Sequence, residues 1–207
     1  MSTIITNTAP AILKKLFDER MEALRKAELA TEVEIKPLFS LLVKVRATHE
    51  GKGRIPFTII PQRSGLPFYE RMTKVSFNGN PGVTYIYDEH RIINPNQRIP
   101  RGHYLMAGIE DGRGMLGVKP SVCLQQFDRF GRFPCTAAEG ITMAMYEPEI
   151  LRHHYLNLTG TVYDGNRLLC LFLNGKIIPW LGAVYGDYSA PQYGSPSCEG
   201  RLSLSAY

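Results

Sequence analysis

The sequence predicts an α+β fold: helices at the N-terminus, then a mostly antiparallel sheet with two inserted helices and a C-terminal three-stranded meander. Three patterns predict this class. Apolar residues recur at helical spacing near the N-terminus, short apolar runs bounded by glycine, proline and asparagine follow, and two hairpin turn signals divide the last third. We expect two units, an N-terminal helical segment over residues 1–50 and an α+β domain over residues 51–207.

The first helix is predicted to be opened by Thr8-Ala-Pro10, with an N-cap followed by Pro10 in the first turn, and to run to about Ala27. Apolar residues form a stripe along one face of this helix. Such a stripe usually packs on its own domain, so we expect it to cover the sheet, with a partner protein as the alternative. A second, shorter helix is predicted near Pro37. The apolar stripe of the first helix consists of Ile12, Leu13, Leu16, Phe17, Met21 and Leu24.

The middle of the chain changes period and predicts strands at 55–60, 74–77, 83–87 and 103–109. Two helices are predicted after them. One begins at Pro120, and the other begins at Thr136, whose hydroxyl forms a capping box with the carboxylate of Glu139.

The last third contains the clearest pattern in the sequence. Three apolar runs over 155–163, 167–173 and 176–184 are separated by Asp-Gly and Asn-Gly pairs. These pairs supply the positive φ angles that tight hairpin turns require. The runs therefore predict a three-stranded antiparallel meander.

Composition predicts an ordered cytoplasmic protein. Of the 207 residues 44% are hydrophobic and 21% are charged, which excludes an intrinsically disordered chain. No apolar run approaches the ~18 residues of a transmembrane helix. The first ten residues lack the basic region and apolar stretch of a signal peptide, so we expect a cytoplasmic location and no membrane partner.

Metal and cofactor motifs are absent from the sequence. The cysteines (Cys123, Cys135, Cys170 and Cys198) show no C-x-x-C spacing, and the five histidines show no H-x-x-x-H or H-E-x-x-H pattern, so we expect no metal site. A G-x-G-x-x-G match begins at Gly112, but Pro120 follows too soon for the helix that a dinucleotide site requires. We interpret Gly112 as part of a turn between strands and expect no cofactor.

Positive charge is concentrated in residues 51–103, which hold eight Lys or Arg against three Asp or Glu. Aromatic residues alternate with these charges, as in a groove for single-stranded nucleic acid. A solvated surface with aromatic residues in the core is the interpretation we favour, and nucleic-acid binding is an alternative. The basic residues are Lys52, Arg54, Arg63, Arg71, Lys74, Arg91, Arg98 and Arg101, and the aromatic ones Phe57, Phe68, Tyr69, Phe77, Tyr85 and Tyr87.

The candidate functional site is a predicted loop over residues 186–201. Loops of this length in a small domain are usually functional or disordered. Its glycines allow a ligand to approach the backbone, and an arginine near Cys198 would lower the pKa of the thiol. The alternative is an ordered surface loop with Cys198 buried. The candidate binding residues are Asp187, Tyr188, Tyr193, Ser195, Ser197, Cys198 and Arg201.

Three functions follow from these observations. No catalytic constellation is evident, so the first is a non-catalytic binding or interaction module that uses this loop for a small molecule or a protein partner. The second is a small enzyme with Cys198 as its nucleophile. The third is nucleic-acid binding through residues 51–103. The sequence leaves open whether the chain forms a homo-oligomer.

Residues 55–201 resemble a bacterial family, well represented in actinobacteria, whose activity is not established. The resemblance rests on four segments: 100–112, with Tyr-Leu before Asp-Gly; 120–130; 131–140, with Gly-Arg-x-Pro-x-Thr-x-x-Glu-Gly; and 179–201, which ends Gly-Ser-x-Ser-Cys-x-Gly-Arg. It implies an uncharacterised domain and no known activity, and it includes the same C-terminal loop.

Overall fold

The chain folds into two large sheets, a two-stranded sheet of residues 76–77 and 80–81, and a set of helices in a computed structural model that describes residues 10–46, 53–63, 65–95 and 98–204. The α-helices are α1 (Ala11–Lys26), α2 (Glu32–Ile35), α3 (Phe68–Thr73), α4 (Pro120–Arg129), α5 (Ala137–Tyr146) and α6 (Ile150–His153). The 3₁₀ helices are Lys36–Lys44, Glu89–Arg91 and Arg113–Met115. The strands are β1 (Arg54–Ile60), β2 (Ser76–Phe77), β3 (Asn80–Pro81), β4 (Val83–Thr84), β5 (Ile92–Ile93), β6 (Tyr104–Glu110), β7 (Phe133–Pro134), β8 (Tyr155–Tyr163), β9 (Arg167–Asn174), β10 (Ile178–Tyr185), β11 (Tyr193–Gly194), β12 (Ser197–Cys198) and β13 (Gly200–Leu202).

The predicted α+β class is confirmed, and the strands fall into two main sheets. The first sheet has the order β1-β6-β12-β7, and β13 also pairs with β6. The second has the order β11-β8-β9-β10-β4, and β5 also pairs with β8. The predicted meander is β8-β9-β10, with Leu156 opposite Leu171 and Trp180 opposite Phe172. β4 and β11 run parallel to their neighbours, so the second sheet is mixed.

One hydrophobic core lies between the two sheets and includes residues of α5. In the meander, alternate side chains enter this core, among them Leu156, Leu169, Leu171 and Leu181. Because successive strand residues point to opposite faces, the residues between them lie on the outer face of the second sheet. That outer face positions the site described below.

The N-terminal helices pack on the other face of the first sheet. Leu13 and Phe17 of α1 are buried against Phe57 of β1 and Leu105 of β6, and they share one hydrophobic cluster with them. The rings of Phe17 and Phe57 are 6.4 Å apart. The stripe of the first helix therefore covers its own sheet, as expected, except for Ile12, which is 67% exposed. The N-cap predicted at Thr8 lies outside the described residues, and the division into units 1–50 and 51–207 stays a prediction.

Several boundaries differ from the sequence analysis. The helix predicted near Pro37 is a 3₁₀ helix, where the Ser40 hydroxyl donates to the Pro37 carbonyl at 2.9 Å and competes for that acceptor. The strand predicted over 83–87 ends at Thr84, whose hydroxyl donates to the Leu181 carbonyl and accepts from the Ile86 amide. The turn that we expected between strands at Gly112 instead begins a 3₁₀ helix, and Gly112 has a φ of 102°.

The predicted capping box at the start of α5 is present. The Thr136 hydroxyl accepts from the Glu139 amide at 3.3 Å, and the Glu139 carboxylate accepts from the Thr136 amide at 2.8 Å. None of the described helices is long and apolar enough to cross a membrane.

Candidate functional site

The segment 186–201, predicted as a loop, is irregular or turn over 186–192 and then contains the short strands β11 and β12 and the start of β13, through which it joins the two sheets. Tyr193 of β11 lies beside Tyr155 in the second sheet. Ser197 of β12 and Arg201 of β13 pair with β6 in the first sheet. Strands of two or three residues carry no readable periodicity, so their existence depends on neighbours that are distant in sequence.

The C-terminal part of this segment, residues 195–201, ends in a buried ion pair between Arg201 and Glu139. The Arg201 Nε–Glu139 Oε1 distance is 2.5 Å and the Arg201 Nη2–Glu139 Oε2 distance is 2.9 Å. The Tyr104 hydroxyl donates to the same carboxylate at 2.7 Å, and Arg201 also donates to the Pro134 carbonyl. Burial alone would raise the pKa of Glu139, but the hydrogen bonds and charge of Arg201 outweigh burial and hold it below its ordinary value.

Cys198 lies beside this ion pair and is fully buried. Burial and the nearby Glu139 charge raise the pKa of its thiol to about 12, although Arg201 acts in the opposite direction. A nucleophilic cysteine needs an accessible thiol with a lowered pKa. The environment of Cys198 has the opposite properties and argues against a nucleophilic role.

We expect native protein at neutral pH to resist thiol reagents, because all four cysteines are free and buried. Mass spectrometry after a short exposure to iodoacetamide should detect unmodified protein. The same treatment in denaturant should add four labels. Rapid labelling of Cys198 in the native protein would contradict its assignment as a structural residue.

Ser195 and Ser197, in the same C-terminal part of the segment, are also buried. Arg132 donates from Nε to the Ser197 hydroxyl at 2.8 Å and from Nη2 to the Gly108 carbonyl at 2.7 Å. Ser195 is buried beside Cys123. Ser197 and Arg201 therefore tie the C-terminal segment to its neighbours through side-chain hydrogen bonds, and Ser195 and Cys198 are buried beside them.

A buried histidine lies where this segment crosses the turn after β6. His154 Nε2 donates to the Asp111 main-chain carbonyl at 2.8 Å, because a carbonyl oxygen only accepts. Nε2 thus carries a proton, and among the described residues Nδ1 has no hydrogen-bond partner. Burial lowers the pKa of His154 below its ordinary value of 6.5, even though the Asp111 carbonyl acts in the opposite direction.

Because His154 is buried, we expect the folded protein to lose stability in mild acid. The unfolded chain takes up the proton near pH 6.5 and the folded chain only at lower pH, so stability is full above pH 6.5 and falls as the pH decreases below it. Urea midpoints at pH 7.5 and 5.5 test this. The decrease should be smaller in His154→Gln and unchanged in the exposed neighbour His153→Gln. Equal decreases in both variants would contradict the role of His154.

The N-terminal part of the segment, residues 186–194, makes different contacts. Asp187 accepts from the Ser121 amide at 3.1 Å and lies 3.8 Å from the Lys119 ammonium, so it stabilises the start of α4. Tyr188 is half exposed, and its ring meets that of Tyr193 edge to face at 5.4 Å. Of the predicted binding residues, only these two tyrosines join a larger exposed surface.

That surface is a row of aromatic rings across the outer face of the second sheet. We define the aromatic row as Tyr85, Trp180, Phe172, Tyr155, Tyr193 and Tyr188. Ring centroids are 4.8 Å apart for Tyr85–Trp180, 5.1 Å for Tyr155–Phe172 and 5.1 Å for Tyr155–Tyr193. Phe172 lies directly opposite Trp180 on the neighbouring strand. The row thus continues from the end of β4 across β10, β9 and β8 to β11.

A pocket of about 440 Å³ lies along this row, within the range usual for ligand pockets. It is lined by rings of the aromatic row, and Cys170 and Gly182 lie opposite each other on adjacent strands within it. Gly182 leaves the space between the rings open. A Cβ atom there would lie 3.4 Å from Phe172 Cε1 and 3.6 Å from Trp180 Cδ1.

The pocket is electrically close to neutral. Arg167 is the one charged side chain among the described residues that line it, and this guanidinium is paired with Asp164. Burial raises the pKa of Tyr193 to about 12, so its phenol stays protonated. The site therefore offers aromatic surface and neutral hydrogen-bond donors.

Half of the aromatic row, namely Trp180, Phe172 and Tyr155, was missed by the sequence analysis, although a signal for part of it exists. The Asn-Gly turn after Leu173 fixes the register of the second hairpin and places Phe172 opposite Trp180. The Asp-Gly turn does not fix the strand partner of Tyr155 in the same way, because the pairing of β8 with β9 shifts register between Leu158 and Val162.

Several of the residues on which the nucleic-acid alternative depends are engaged elsewhere in the protein. Phe57, Phe68 and Phe77 are buried in the two cores, and Arg54 and Arg91 pair with Glu110 and Asp164, respectively. Lys52 lies outside the described residues.

A larger cleft of about 910 Å³ lies between the N-terminal helices and α3. Its charges are largely engaged with other groups. Arg25 pairs with Glu22, the Glu34 carboxylate accepts from the Thr31 amide, and Arg63 donates to the Glu28 carbonyl. No group of three or more metal-ligating side chains occurs within the described parts of the chain.

One comparison with known proteins gives a match. The model of a family described as "Family of unknown function (DUF5701)" matches residues 14–165, which is most of the chain. The matched region includes α1, which the sequence resemblance omitted, and ends before the segment 186–201. No curated protein and no solved structure matches.

Proposed function

Because the chain belongs to the DUF5701 family of unknown function, we propose a function from its geometry: a non-catalytic binding protein whose binding surface is the aromatic row. The observation that carries this proposal is the placement of six aromatic side chains on one face of five adjacent strands and the loop next to them, with Tyr85 70% exposed at one end and Tyr188 48% exposed at the other. Aromatic residues are enriched at recognition surfaces, and in this row the two ends are exposed, Tyr155, Phe172 and Trp180 are half-buried, and Tyr193 is buried.

The enzymatic alternative has less support. Its nucleophile, Cys198, is buried beside an ion pair. The described residues that line the pocket include one other cysteine, Cys170, but no histidine, carboxylate or lysine to act as its base. Nucleic-acid binding also has less support, because a backbone of phosphates needs unpaired cations and Arg167 is already paired.

A cytoplasmic location is part of the proposal. All four cysteines are free thiols, which suits a reducing compartment. The partner is a peptide segment of another protein or a small molecule, in either case without net charge where it contacts the row.

Trp180 provides a direct test because it is the single tryptophan of the chain. Its emission is measured during titration with three probes: an oligoproline, cello-oligosaccharide and oligo-dT at low salt. We expect a saturable change with at least one uncharged probe at up to millimolar concentration. Replacing Tyr85 with alanine should weaken that binding roughly tenfold.

The matched control is Tyr87→Ala. Tyr87 is 65% exposed, but its ring faces Tyr69 and lies outside the row. Equal loss in both variants, saturation only with oligo-dT, or no saturable response to any uncharged probe would each overturn the proposal.

A further inference from the structure

We infer that the pocket along the aromatic row binds an extended, uncharged peptide segment of a partner protein, which adds to the second sheet as a strand next to β10. This inference rests on the proposed function and specifies the class of partner and how it binds. Three observations carry it: a free edge on β10, main-chain groups that face this edge, and a pocket that follows it.

The second half of β10 has a neighbouring strand on one side only. β9 pairs with all eight residues of β10, whereas β4, on the other side, pairs with Trp180 and Leu181. The Thr84 hydroxyl ends this pairing, because it donates to the Leu181 carbonyl and accepts from the Ile86 amide. Within the described parts of the chain, no strand pairs with residues 182–185 on the side of β4.

The main-chain groups of Ala183 point to this free edge. The Leu181 carbonyl faces β4, because it accepts from Thr84. Alternate residues of an antiparallel ladder face the same side, so the amide and carbonyl of Ala183 also point away from β9. Pro179 has the same orientation, which suits a residue that has no N–H to donate to β9. An added strand supplies both an acceptor and a donor to Ala183, and this is how sheet edges bind extended peptides.

The pocket of about 440 Å³ follows this edge. Every residue from Trp180 to Val184 lines it. Successive strand residues point to opposite faces of a sheet, so a cavity that touches five in a row reaches past the edge of the strand and does not lie over one face alone. Tyr85 and Ile86, which follow β4 in the chain, line it as well. A bound segment would therefore take the place that β4 leaves beside β10.

This edge is neutral and lacks the usual protection. Proline and charged side chains keep free edges from pairing, and residues 182–185 include neither. The strands that end the first sheet each include a proline, Pro56 in β1 and Pro134 in β7. Arg167, the one charged side chain among the described residues that line the pocket, is paired with Asp164. We therefore expect an uncharged segment.

The geometry favours a separate segment over a second copy of this chain. A second β10 would pair by twofold symmetry, with Ala183 or Val184 opposite itself. With Ala183 on the axis, Tyr185 of the second copy would lie opposite Leu181, where β4 runs. With Val184 on the axis, Ala183 would pair with Tyr185, whose carbonyl already accepts from the Tyr188 amide at 2.9 Å. A separate strand meets neither obstacle.

The test titrates acetyl-Thr-Val-Thr-Val-Thr-Val-amide, which joins the uncharged probes of the preceding test, with Trp180 emission as the readout. Two forms of this hexapeptide each carry three N-methyl groups. Methylation at the first, third and fifth residues leaves one hydrogen-bonding edge of the strand intact, whereas methylation at the third, fourth and fifth interrupts both edges. We expect the first form to bind within about threefold of the parent peptide and the second about tenfold more weakly.

A substitution at Ala183 locates the contact on the protein. Ala183→Pro removes the N–H that faces the pocket and no bond to β9, so the fold should be retained and hexapeptide binding should weaken about tenfold. Ala183→Ser keeps that N–H and is the matched control, with binding within about threefold of wild type. Thermal unfolding verifies that both variants fold, and the two methylated peptides decide the matter if Ala183→Pro does not.

The outcomes separate the two claims. Equal binding of the two methylated peptides, weakened by Tyr85→Ala, would overturn this inference and leave the proposed binding surface in place. Saturation with the cello-oligosaccharide or the oligoproline but not with the hexapeptide would do the same. Sedimentation of the free protein as a dimer that Ala183→Pro dissociates would assign the edge to a second copy and also overturn the inference. No saturable response to any of these uncharged probes would overturn both.

Discussion

Replacing Arg201 with methionine is expected to destabilise the protein by about 3–5 kcal/mol, the cost of leaving a buried charge without its partner. The Arg201 side chain is 2% exposed and that of Glu139 is 0% exposed, so water cannot replace the lost contact. Equilibrium unfolding in urea measures the change as a shift of the midpoint.

Two further variants isolate the cause. Changing Glu139 to glutamine in the Arg201→Met background removes the unpaired charge and should restore part of the lost stability. Arg25→Ala breaks an exposed ion pair with Glu22 and should have no resolvable effect. A change within about 1 kcal/mol of wild type for Arg201→Met would show that the buried pair does not hold the C-terminal segment.

Gly194→Ala is expected to destabilise the fold by about 1–3 kcal/mol, or more if the backbone cannot shift. At this position β11 crosses the turn after β6. A Cβ atom on Gly194 would overlap the Gly112 carbonyl oxygen and approach His154 Cδ2 to 3.1 Å. A Cβ atom on Gly112 would lie 2.9 Å from the Gly194 carbonyl carbon, so each backbone blocks the other.

Gly200→Ala provides the matched control for Gly194→Ala. Gly200 lies in the same segment, but a Cβ atom there meets nothing within 4 Å. We expect its effect on the free energy of unfolding to stay within about 0.5 kcal/mol. Similar losses for the two glycines would indicate sensitivity of the whole segment and not a close approach at Gly194.

These two changes also separate stability from binding. Arg201 and Gly194 fasten the sheets together, whereas Tyr85 and Tyr188 end the aromatic row. Where Arg201→Met or Gly194→Ala still folds, it should retain the fluorescence response of Trp180. Tyr85→Ala should lose that response with little loss of stability, because its ring is mostly exposed.

The sequence by itself determined the features that depend on neighbours along the chain. Helical spacing identified α1, the Thr136–Glu139 capping box identified the start of α5, and the Asp-Gly and Asn-Gly turns identified the meander. Each of these depends on local periodicity or local hydrogen bonds, which a single stretch of sequence contains.

Only the tertiary structure decided the role of residues 186–201. Short strands such as β12 exist because β6 and β7 supply their hydrogen-bond partners, and Arg201 is buried because Glu139, 62 positions away, balances its charge. The aromatic row likewise joins Tyr85 to Trp180 through a parallel pairing that no turn encodes. Contacts between distant segments depend on packing and charge pairing in three dimensions, and local sequence does not specify them.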